Sequence, residues 1–224
     1  MKKWLLPLIC FIGILGTPLS VKASSTIMID GSFDDWAQIP KTDISFSWDS
    51  YNYKQMALSV DDNALYLYID MSPKQGNGYN VLQVANYEFT IGSHHYYIDF
   101  RTPSGQTLVT SDLATGQSRE FKAYIYEAGN NGVNQLSTAS QGIVTRLSSQ
   151  NFTEIAELRI PLSDFKIDSL ASQKITVKNT NLGSQELIIM GASSAPYILA
   201  GLGLVFATTL LWFKRDNLTF SRAN

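Results

Sequence analysis

Three aspartates lie within a few residues of one another in the segment IDGSFDDW, which runs from Ile29 to Trp36. Carboxylates this close together can exchange protons with a substrate, bind a calcium ion or accept hydrogen bonds from backbone amides. Only the surrounding chain can decide among these three kinds of chemistry. The carboxylates concerned are those of Asp30, Asp34 and Asp35.

The other residues of this segment favour the opening turn of a fold. Gly31 permits a backbone bend that few residues accept, and the aspartates can accept hydrogen bonds from exposed turn amides. Trp36 offers a large apolar area that can seal the edge of a core, provided that its N–H finds a partner. The alternative is a calcium site, which needs about six to eight oxygen ligands. Its candidate ligands are Asp30, Asp34, Asp35, Asp61 and Asp62.

Aromatic residues are concentrated in a second segment, SWDSYNYK, at residues 47–54. This segment lies between two predicted strands, so part of it is predicted to be a solvent-facing loop. Sugars have apolar C–H faces that stack on aromatic rings, while nearby polar groups such as Asp49 and Asn52 orient the hydroxyls. Trp48 could instead continue an apolar strand face that includes Phe46, and would then belong to the core. The candidate ligand-binding residues are Trp48, Tyr51, Tyr53 and, in a separate predicted loop, Tyr79.

The two histidines of the chain are adjacent, at His94 and His95. Neighbouring residues of a strand point to opposite faces, so the pair cannot bind one metal ion from the same side. The pair therefore favours a hairpin rather than a metal site.

The sequence lacks two motifs that mark common classes of enzyme. It has no Gly-x-Ser-x-Gly nucleophile elbow and no phosphate loop. Its acidic residues fall mostly in predicted turns or at outward strand positions, where carboxylates are solvated. We therefore expect a protein without catalytic residues, and an extracellular enzyme is the least favoured alternative.

Several short segments alternate between apolar and polar residues, with the period of two that is typical of half-buried β-strands. In the segment ALYLYIDM, residues 64–71, apolar side chains alternate with Tyr66, Tyr68 and Asp70. No helical pattern of three turns appears between the two ends of the chain. The sequence therefore predicts an all-β fold, an antiparallel β-sandwich.

Turn-forming residues separate the predicted strands. Asp61-Asp62-Asn63 and Gly92-Ser93 predict tight reversals. The segment ELIIM, residues 186–190, predicts the last strand of the domain. Longer loops are predicted at residues 73–80, 129–141 and 179–183.

Residues 1–23 have the organisation of a secretory signal peptide. Two lysines precede an apolar run from Trp4 to Gly16, and small residues lead to a predicted cleavage after Ala23. Cys10, the single cysteine, lies inside the apolar run and would be removed with it. The mature chain would then have no disulfide and no thiolate metal site.

Residues 195–213 form an uncharged apolar stretch, close to the length of about 20 residues that crosses a bilayer. Lys214-Arg215 follows at once and would stay in the cytoplasm, with Trp212 at the interface. The sequence thus predicts one transmembrane helix and a cytoplasmic tail at residues 214–224. The alternative is a buried core helix.

Residues 24–191 would form the extracellular domain, a length suited to a single domain. The formal net charge of the whole chain is −2 at pH 7. Because the charge is nearly balanced, we expect no nucleic-acid partner.

Three segments, in this order, resemble the family-9 carbohydrate-binding-module-like domain, a β-sandwich found on many secreted bacterial proteins. They are IDGSFDDWAQIP at residues 29–40, DDNALYLYIDM at residues 61–71 and AELRIPLSDF at residues 156–165. In that family, the first motif combines Asp-Gly with an acidic residue and Trp, the second is a strand entered through an acidic turn, and the third closes on Ile-Pro. The resemblance implies a glycan-binding-like β-sandwich, and some members of the family hold calcium. Related sandwiches bind haem through axial His or Met, which implies a further alternative in which His94 or His95 would pair with Met56 or Met71. Both methionines also fit the apolar faces of predicted strands, where they would fill the core.

The C-terminal order of small residues, apolar span and basic pair resembles the sorting signals recognised by exosortase-like membrane proteases, in the form often called Firmicu-CTERM. The resemblance implies processing in a linker at residues 192–194. The sequence has no Leu-Pro-x-Thr-Gly motif, so attachment by a sortase is not suggested. A plain membrane anchor is the alternative. The motif consists of Gly191, Ala192, Ser193, Ser194, Ala195 and Pro196.

Together these features predict a membrane-anchored, single-pass surface protein of a Gram-positive bacterium. Its extracellular β-sandwich would bind a glycan without catalysis, and its partners would be the membrane, that glycan and an exosortase-like protease. No cofactor is expected apart from a possible calcium ion. The alternative is a structural or accessory surface protein that does not bind sugar.

Overall fold

The computed structural model describes residues 27–72, 80–129, 132–148 and 153–191. Within these residues the chain forms β-strands and two short 3₁₀ turns, and no α-helix. The all-β, antiparallel prediction is therefore confirmed. The strands are β1 (Thr42–Phe46), β2 (Asp49–Val60), β3 (Ala64–Asp70), β4 (Tyr87–Ile91), β5 (His94–Arg101), β6 (Ser118–Glu127), β7 (Asn134–Leu136), β8 (Gln141–Ser148), β9 (Thr153–Pro161), β10 (Lys174–Lys178) and β11 (Leu187–Met190).

The strands form one continuous sheet that folds back on itself around a single interior. Their order is β1-β2-β3-β9-β8-β6-β5-β4-β10-β11, and β7 pairs with β6 outside this path. Strand β6 joins the two halves, because its first residues pair with β8 and its later residues pair with β5. The sheet is thus nearly closed into a barrel.

The alternating apolar residues face the interior and form the main core. Aromatic rings fill its centre: Phe100 lies 4.7 Å, centroid to centroid, from both Tyr87 and Phe121. Removing side chains of this size from water contributes about 1.5–3 kcal/mol each to folding. Period two in the sequence was therefore a correct guide to which residues face inward.

The prediction of a half-buried strand is wrong for β3, in which all seven residues are buried. The N-terminal segment of the domain packs on the outer face of this strand, where it forms a second apolar cluster. The ring of Trp36 lies 5.3 Å from that of Tyr68, and Phe33 meets Tyr68 edge to face. The side chains of Tyr66 and Tyr68, which point away from the main core, are thereby covered.

The loop before β11 covers the free edge of β1. Ser184 donates its backbone N–H to the carbonyl of Ser45 (3.2 Å), and the side chain of Gln185 accepts the N–H of Ser45 (2.8 Å). Gly183 packs so closely that an added Cβ would lie 2.4 Å from the Ser45 oxygen. Since an exposed strand edge invites pairing with another chain, this loop protects the sheet where it stays open.

The predicted turns occur as expected. The Asp61 carboxylate accepts the N–H groups of Asn63 and Ala64 and so closes the β2–β3 turn. Gly92 has a φ of 59° in the β4–β5 turn, and β11 occupies the predicted last strand. The loop predicted at 129–141 is wrong in part: Asn134–Leu136 pairs with β6, and Gln141 already belongs to β8.

Because neighbouring strands are antiparallel, the connections divide between two ends of the domain. The hairpin end carries the Ser47–Trp48 turn and the loops 102–117 and 179–186. The exit end carries the turns after β2 and β4, together with Gly191, whose N–H bonds to the carbonyl of Gln173. The twelve residues of β2 run from one end to the other and, at about 3.3 Å each, span roughly 40 Å.

No helix long and apolar enough to cross a membrane occurs among the described residues. The predicted signal peptide (1–23), the linker (192–194), the apolar span (195–213) and the tail (214–224) lie outside the described residues. So do Tyr79 and five of the six sorting-motif residues. These assignments stay predictions.

Candidate functional site

The β1–β2 hairpin carries the predicted aromatic residues. Phe46 pairs with Asp49 across a two-residue turn, Ser47–Trp48, at the tip. Trp48 is 78% exposed, and its ring stacks on Phe46 at 5.1 Å with an angle of 13° between the planes. The alternative that places Trp48 in the core is therefore wrong, because the chain reverses at Ser47 and the alternation of β1 ends there.

Two tyrosines follow the turn on β2, where the sequence suggested a loop. Tyr51 is 63% exposed and Tyr53 is half-buried. They are two positions apart on one strand and so point to the same side of it. The last β2–β3 pair is Gln55 with Asp70, so residues 49–54 extend beyond the end of β3 and the hairpin projects from the domain.

The two polar residues of the hairpin are hydrogen-bonded to each other. The Asn52 side-chain amide donates to the carboxylate of Asp49 at 2.7 Å. The Asn52 side-chain oxygen has no hydrogen-bond partner within the described residues. The hairpin thus brings an exposed indole, an exposed phenol and a carboxylate–amide pair into one short stretch.

A buried ion pair lies inside the hairpin end of the domain. Arg146 of β8 and Glu154 of β9 are almost fully buried and lie 2.6 Å apart. Glu154 also accepts the N–H of Leu82 (2.7 Å) and the hydroxyl of Thr110 (3.1 Å), and Arg146 donates to the Thr110 carbonyl. These bonds fasten two connecting loops to the sheet.

Sequence reasoning missed this ion pair, although a signal was present. Arg146 is two residues from Val144, and Glu154 is two residues from Ala156, so both charges occupy inward positions of their strands. Since buried charges are paired, two inward charges near the joined ends of adjacent strands indicate an ion pair.

The opening segment is fixed by Glu157, a second residue that sequence reasoning missed. Its Oε1 accepts the backbone N–H groups of Asp30 (2.9 Å) and Gly31 (2.8 Å). Its Oε2 accepts the indole N–H of Trp36 at 3.0 Å. Gly31 has a φ of +81°, in the left-handed region that favours glycine. The contacts of this segment are therefore made with the domain itself.

Burial raises the pKa of Glu157 above its ordinary value, and the negative charge of Asp35 raises it further. The three N–H donors act in the opposite direction, because they stabilise the charged carboxylate. Burial has the largest effect, so the net direction is upward. Glu157 is a buried acceptor whose charge carries a free-energy cost.

The proposed calcium ligands are engaged separately in the structure. Asp30 accepts the N–H of Ser32, Asp35 accepts that of Met28, and Asp61 closes its own turn. Asp34 and Asp62 are exposed. No group of three or more His, Cys, Asp or Glu side chains within the described ranges is arranged to hold a metal ion. The described residues thus do not bring the candidate calcium ligands together around one point, and the calcium site stays a prediction.

The residues of the haem alternative are divided between the two halves of the sheet. His94 bonds to Glu127 (2.7 Å) and His95 to Thr90 (3.0 Å), on exposed positions of the β4–β5 hairpin. Met56 of β2 and Met71, just after β3, are buried in the core. Haem binding stays a prediction for which this arrangement offers no ligand pair.

An open groove of about 660 Å³ lies at the exit end, beside the β4–β5 turn. Its lining is mostly polar and includes Lys166, Lys174 and His94. No Phe, Tyr or Trp among the described residues contributes to this lining, so the groove lacks a surface on which a sugar would stack. The aromatic hairpin is the better candidate site.

Comparison with protein-family models, with curated proteins and with solved structures returned no match for this chain.

Proposed function

We propose that this protein is a membrane-anchored cell-surface protein whose β domain binds an extracellular glycan without catalysing its breakdown. The binding site would be the β1–β2 hairpin, with Trp48 and Tyr51 as stacking surfaces and Asp49 and Asn52 as polar partners. The observation that carries the proposal is the exposure of Trp48, a large aromatic side chain that lies at the tip of a two-residue turn and stacks on Phe46.

The chemistry of the hairpin suits a sugar. Leaving an indole in water forgoes the stabilisation that burial would contribute, and stacking on Phe46 limits the orientations of the ring before any ligand arrives. Preorganised aromatic groups bind at a lower entropic cost than mobile ones. Asp49 and Asn52 supply the acceptor and donor groups that sugar hydroxyls require.

The position of the hairpin also supports the proposal. Gly191, the last described residue, lies at the exit end, and the hairpin lies at the other end of β2. If residues 195–213 span the membrane, the hairpin would face away from the bilayer, where an extracellular glycan can reach it. The predicted signal peptide and the family-9 resemblance support the same interpretation.

A glycan array probed with the full-length protein in a mild detergent tests this function. We expect binding to a limited set of glycans that share a backbone sugar. Binding to none of them, with the protein shown to be folded, would contradict glycan recognition and favour a structural or accessory role. Release of reducing sugar from a bound polysaccharide would instead indicate an enzyme.

The fate of the C-terminal segment has a separate test. If an exosortase-like protease cleaves near residues 192–194, the surface form of the protein ends there and lacks Asn224. Mass spectrometry of the mature C-terminus measures this directly. An intact Asn224 in all surface protein would rule out sorting and leave a plain anchor.

A further inference from the structure

A second aromatic surface lies on the outer face of the other half of the sheet, away from the hairpin. Tyr97 of β5 and Tyr126 of β6 are paired across the strands, with ring centroids 6.1 Å apart. They are 41% and 45% exposed. We call this pair, with its neighbours Glu88 on one side and Asn134 on the other, the tyrosine face.

The charges around the tyrosine face are already neutralised within the protein. Glu88 is paired with Lys178 at 3.2 Å, on the two strands beyond Tyr97. Asp99 is paired with Arg101, also at 3.2 Å, and the Arg101 guanidinium lies over the ring of Tyr124. Because these charges are internally paired, the surface offers no net attraction to a polyanion or a polycation.

What the face does offer is ring area and hydroxyl groups. No hydrogen bond within the described residues engages the phenol groups of Tyr97 and Tyr126. Tyr124, by contrast, donates its hydroxyl to Asn134 at 2.6 Å and is held in place. An uncharged ligand with apolar C–H faces and many hydroxyls matches two adjacent rings with free hydroxyls better than a charged or purely apolar ligand does.

We propose that the tyrosine face is a second glycan-binding surface, which takes a neutral polysaccharide across strands β5 and β6. This inference rests on the proposed function for the class of ligand, but not on the hairpin as the site. Two sites on one domain would increase the apparent affinity for a long polymer through effective concentration. Short oligosaccharides, which reach only one site, would gain nothing.

Affinity electrophoresis of the full-length protein tests the proposal, with mixed-linkage β-glucan, glucomannan and xylan as neutral polysaccharides and polygalacturonate as the anionic one. We expect retardation in a neutral gel but not in polygalacturonate. Tyr97→Ser with Tyr126→Ser should weaken binding about tenfold, as expected for the loss of aromatic anchors. Ile188→Ser, at a similarly exposed position on β11, is the control and should not change retardation.

The variants separate the two sites. Trp48→Ala with Tyr51→Ala should leave residual binding, which the four combined substitutions should abolish. If the tyrosine double variant is retarded as strongly as the parent, the tyrosine face is not a glycan-binding site, although the protein still binds glycan. If only the tyrosine variant loses binding, the hairpin is the wrong site. If no neutral polysaccharide retards the parent protein, both proposed sites are contradicted. A melting temperature of each variant within a few degrees of the parent excludes unfolding as the cause of weaker binding.

Discussion

At the scale of single residues, Glu157 explains why the opening segment has its composition. One buried carboxylate accepts two backbone N–H groups and one indole N–H, contributed by residues more than 120 positions away in the sequence. Gly31 provides the bend that brings its N–H to this carboxylate, and Trp36 covers the outer face of β3. A structural turn therefore accounts for these contacts without a ligand.

Replacing Glu157 with glutamine tests this account of the segment. An amide has one acceptor oxygen, so one of the three donors would face an N–H₂ group and lose its partner. We expect Glu157→Gln to lower the free energy of unfolding by about 1–3 kcal/mol, the cost of an unsatisfied buried polar group. Glu186→Gln, at an exposed position, is the matched control and should leave the urea midpoint unchanged.

The difference in the free energy of unfolding between the parent and Glu157→Gln should depend on pH, and the pKa of Glu157 fixes the sign of that dependence. The pKa of Glu157 is raised above 4.5 in the folded protein, so between the unfolded and folded pKa values the native state binds more protons than the unfolded state. The stability that this residue contributes is therefore fully present below pH 4.5 and is lost as the pH rises through the folded pKa. The deficit of Glu157→Gln should be largest near pH 4 and smaller at pH 7; a deficit that grows with pH would contradict the raised pKa.

The residue scale also shows where sequence reasoning succeeds and fails. It predicted that Gly31 bends the chain and that Trp36 seals a core, because both follow from the side chains themselves. It could not identify Glu157 as their partner, because that contact joins distant parts of the chain. It did not decide whether Trp48 is in the core or exposed. The answer depends on the residue at which the turn begins, because a shift of one residue moves the side chain from the strand face to the solvent.

At the scale of elements, the Arg146–Glu154 pair joins β8 and β9 to the loops above them. A variant that removes one partner leaves the other charge buried and unpaired, which costs about 3–5 kcal/mol. We expect Arg146→Met to lower stability by this amount, measured by urea unfolding. Arg119→Met, which removes the half-buried partner of the exposed Asp112, should change stability much less.

A double substitution distinguishes the loss of a charge partner from a general packing effect. Arg146→Met combined with Glu154→Gln removes both charges and keeps an acceptor for Leu82 and Thr110. It should be more stable than Arg146→Met alone. If the double variant is the less stable of the two, the pair does not act through charge compensation.

Strand assignment from the period-two pattern was correct for β3, whereas residues 49–54, which were predicted in part as a loop, belong to β2. It failed for the short strand β7 in a segment rich in Asn, Gly, Ser and Thr, because pairing with β6 overrides the weak strand preference of these residues. It also could not show that the sheet is continuous, because the role of β6 in both halves depends on tertiary pairing alone.

At the scale of the whole molecule, the two ends of the domain have different roles in our account. The hairpin end carries the aromatic site, and the exit end carries Gly191. If the chain continues from there into a membrane span, residues at the exit end face the bilayer. The hairpin end would be the more accessible end on intact cells.

Single cysteines can measure this orientation, because the predicted mature chain has none. Ser50 at the hairpin end and Ser93 at the exit end are both exposed. On intact cells we expect Ser50→Cys to react faster than Ser93→Cys with a large maleimide–polyethylene glycol reagent, although both should react equally with the small N-ethylmaleimide. The reverse order would contradict the proposed orientation.

The central claim is that the exposed aromatic side chains of the β1–β2 hairpin bind a glycan. The most direct measurement is a calorimetric titration of a short oligosaccharide, chosen from the array, into the parent protein and into Trp48→Ala with Tyr51→Ala. Because both side chains are exposed, the account predicts a loss of affinity of at least about tenfold, typical of aromatic anchors, with a melting temperature close to that of the parent. Unchanged affinity in the folded double variant would contradict the account.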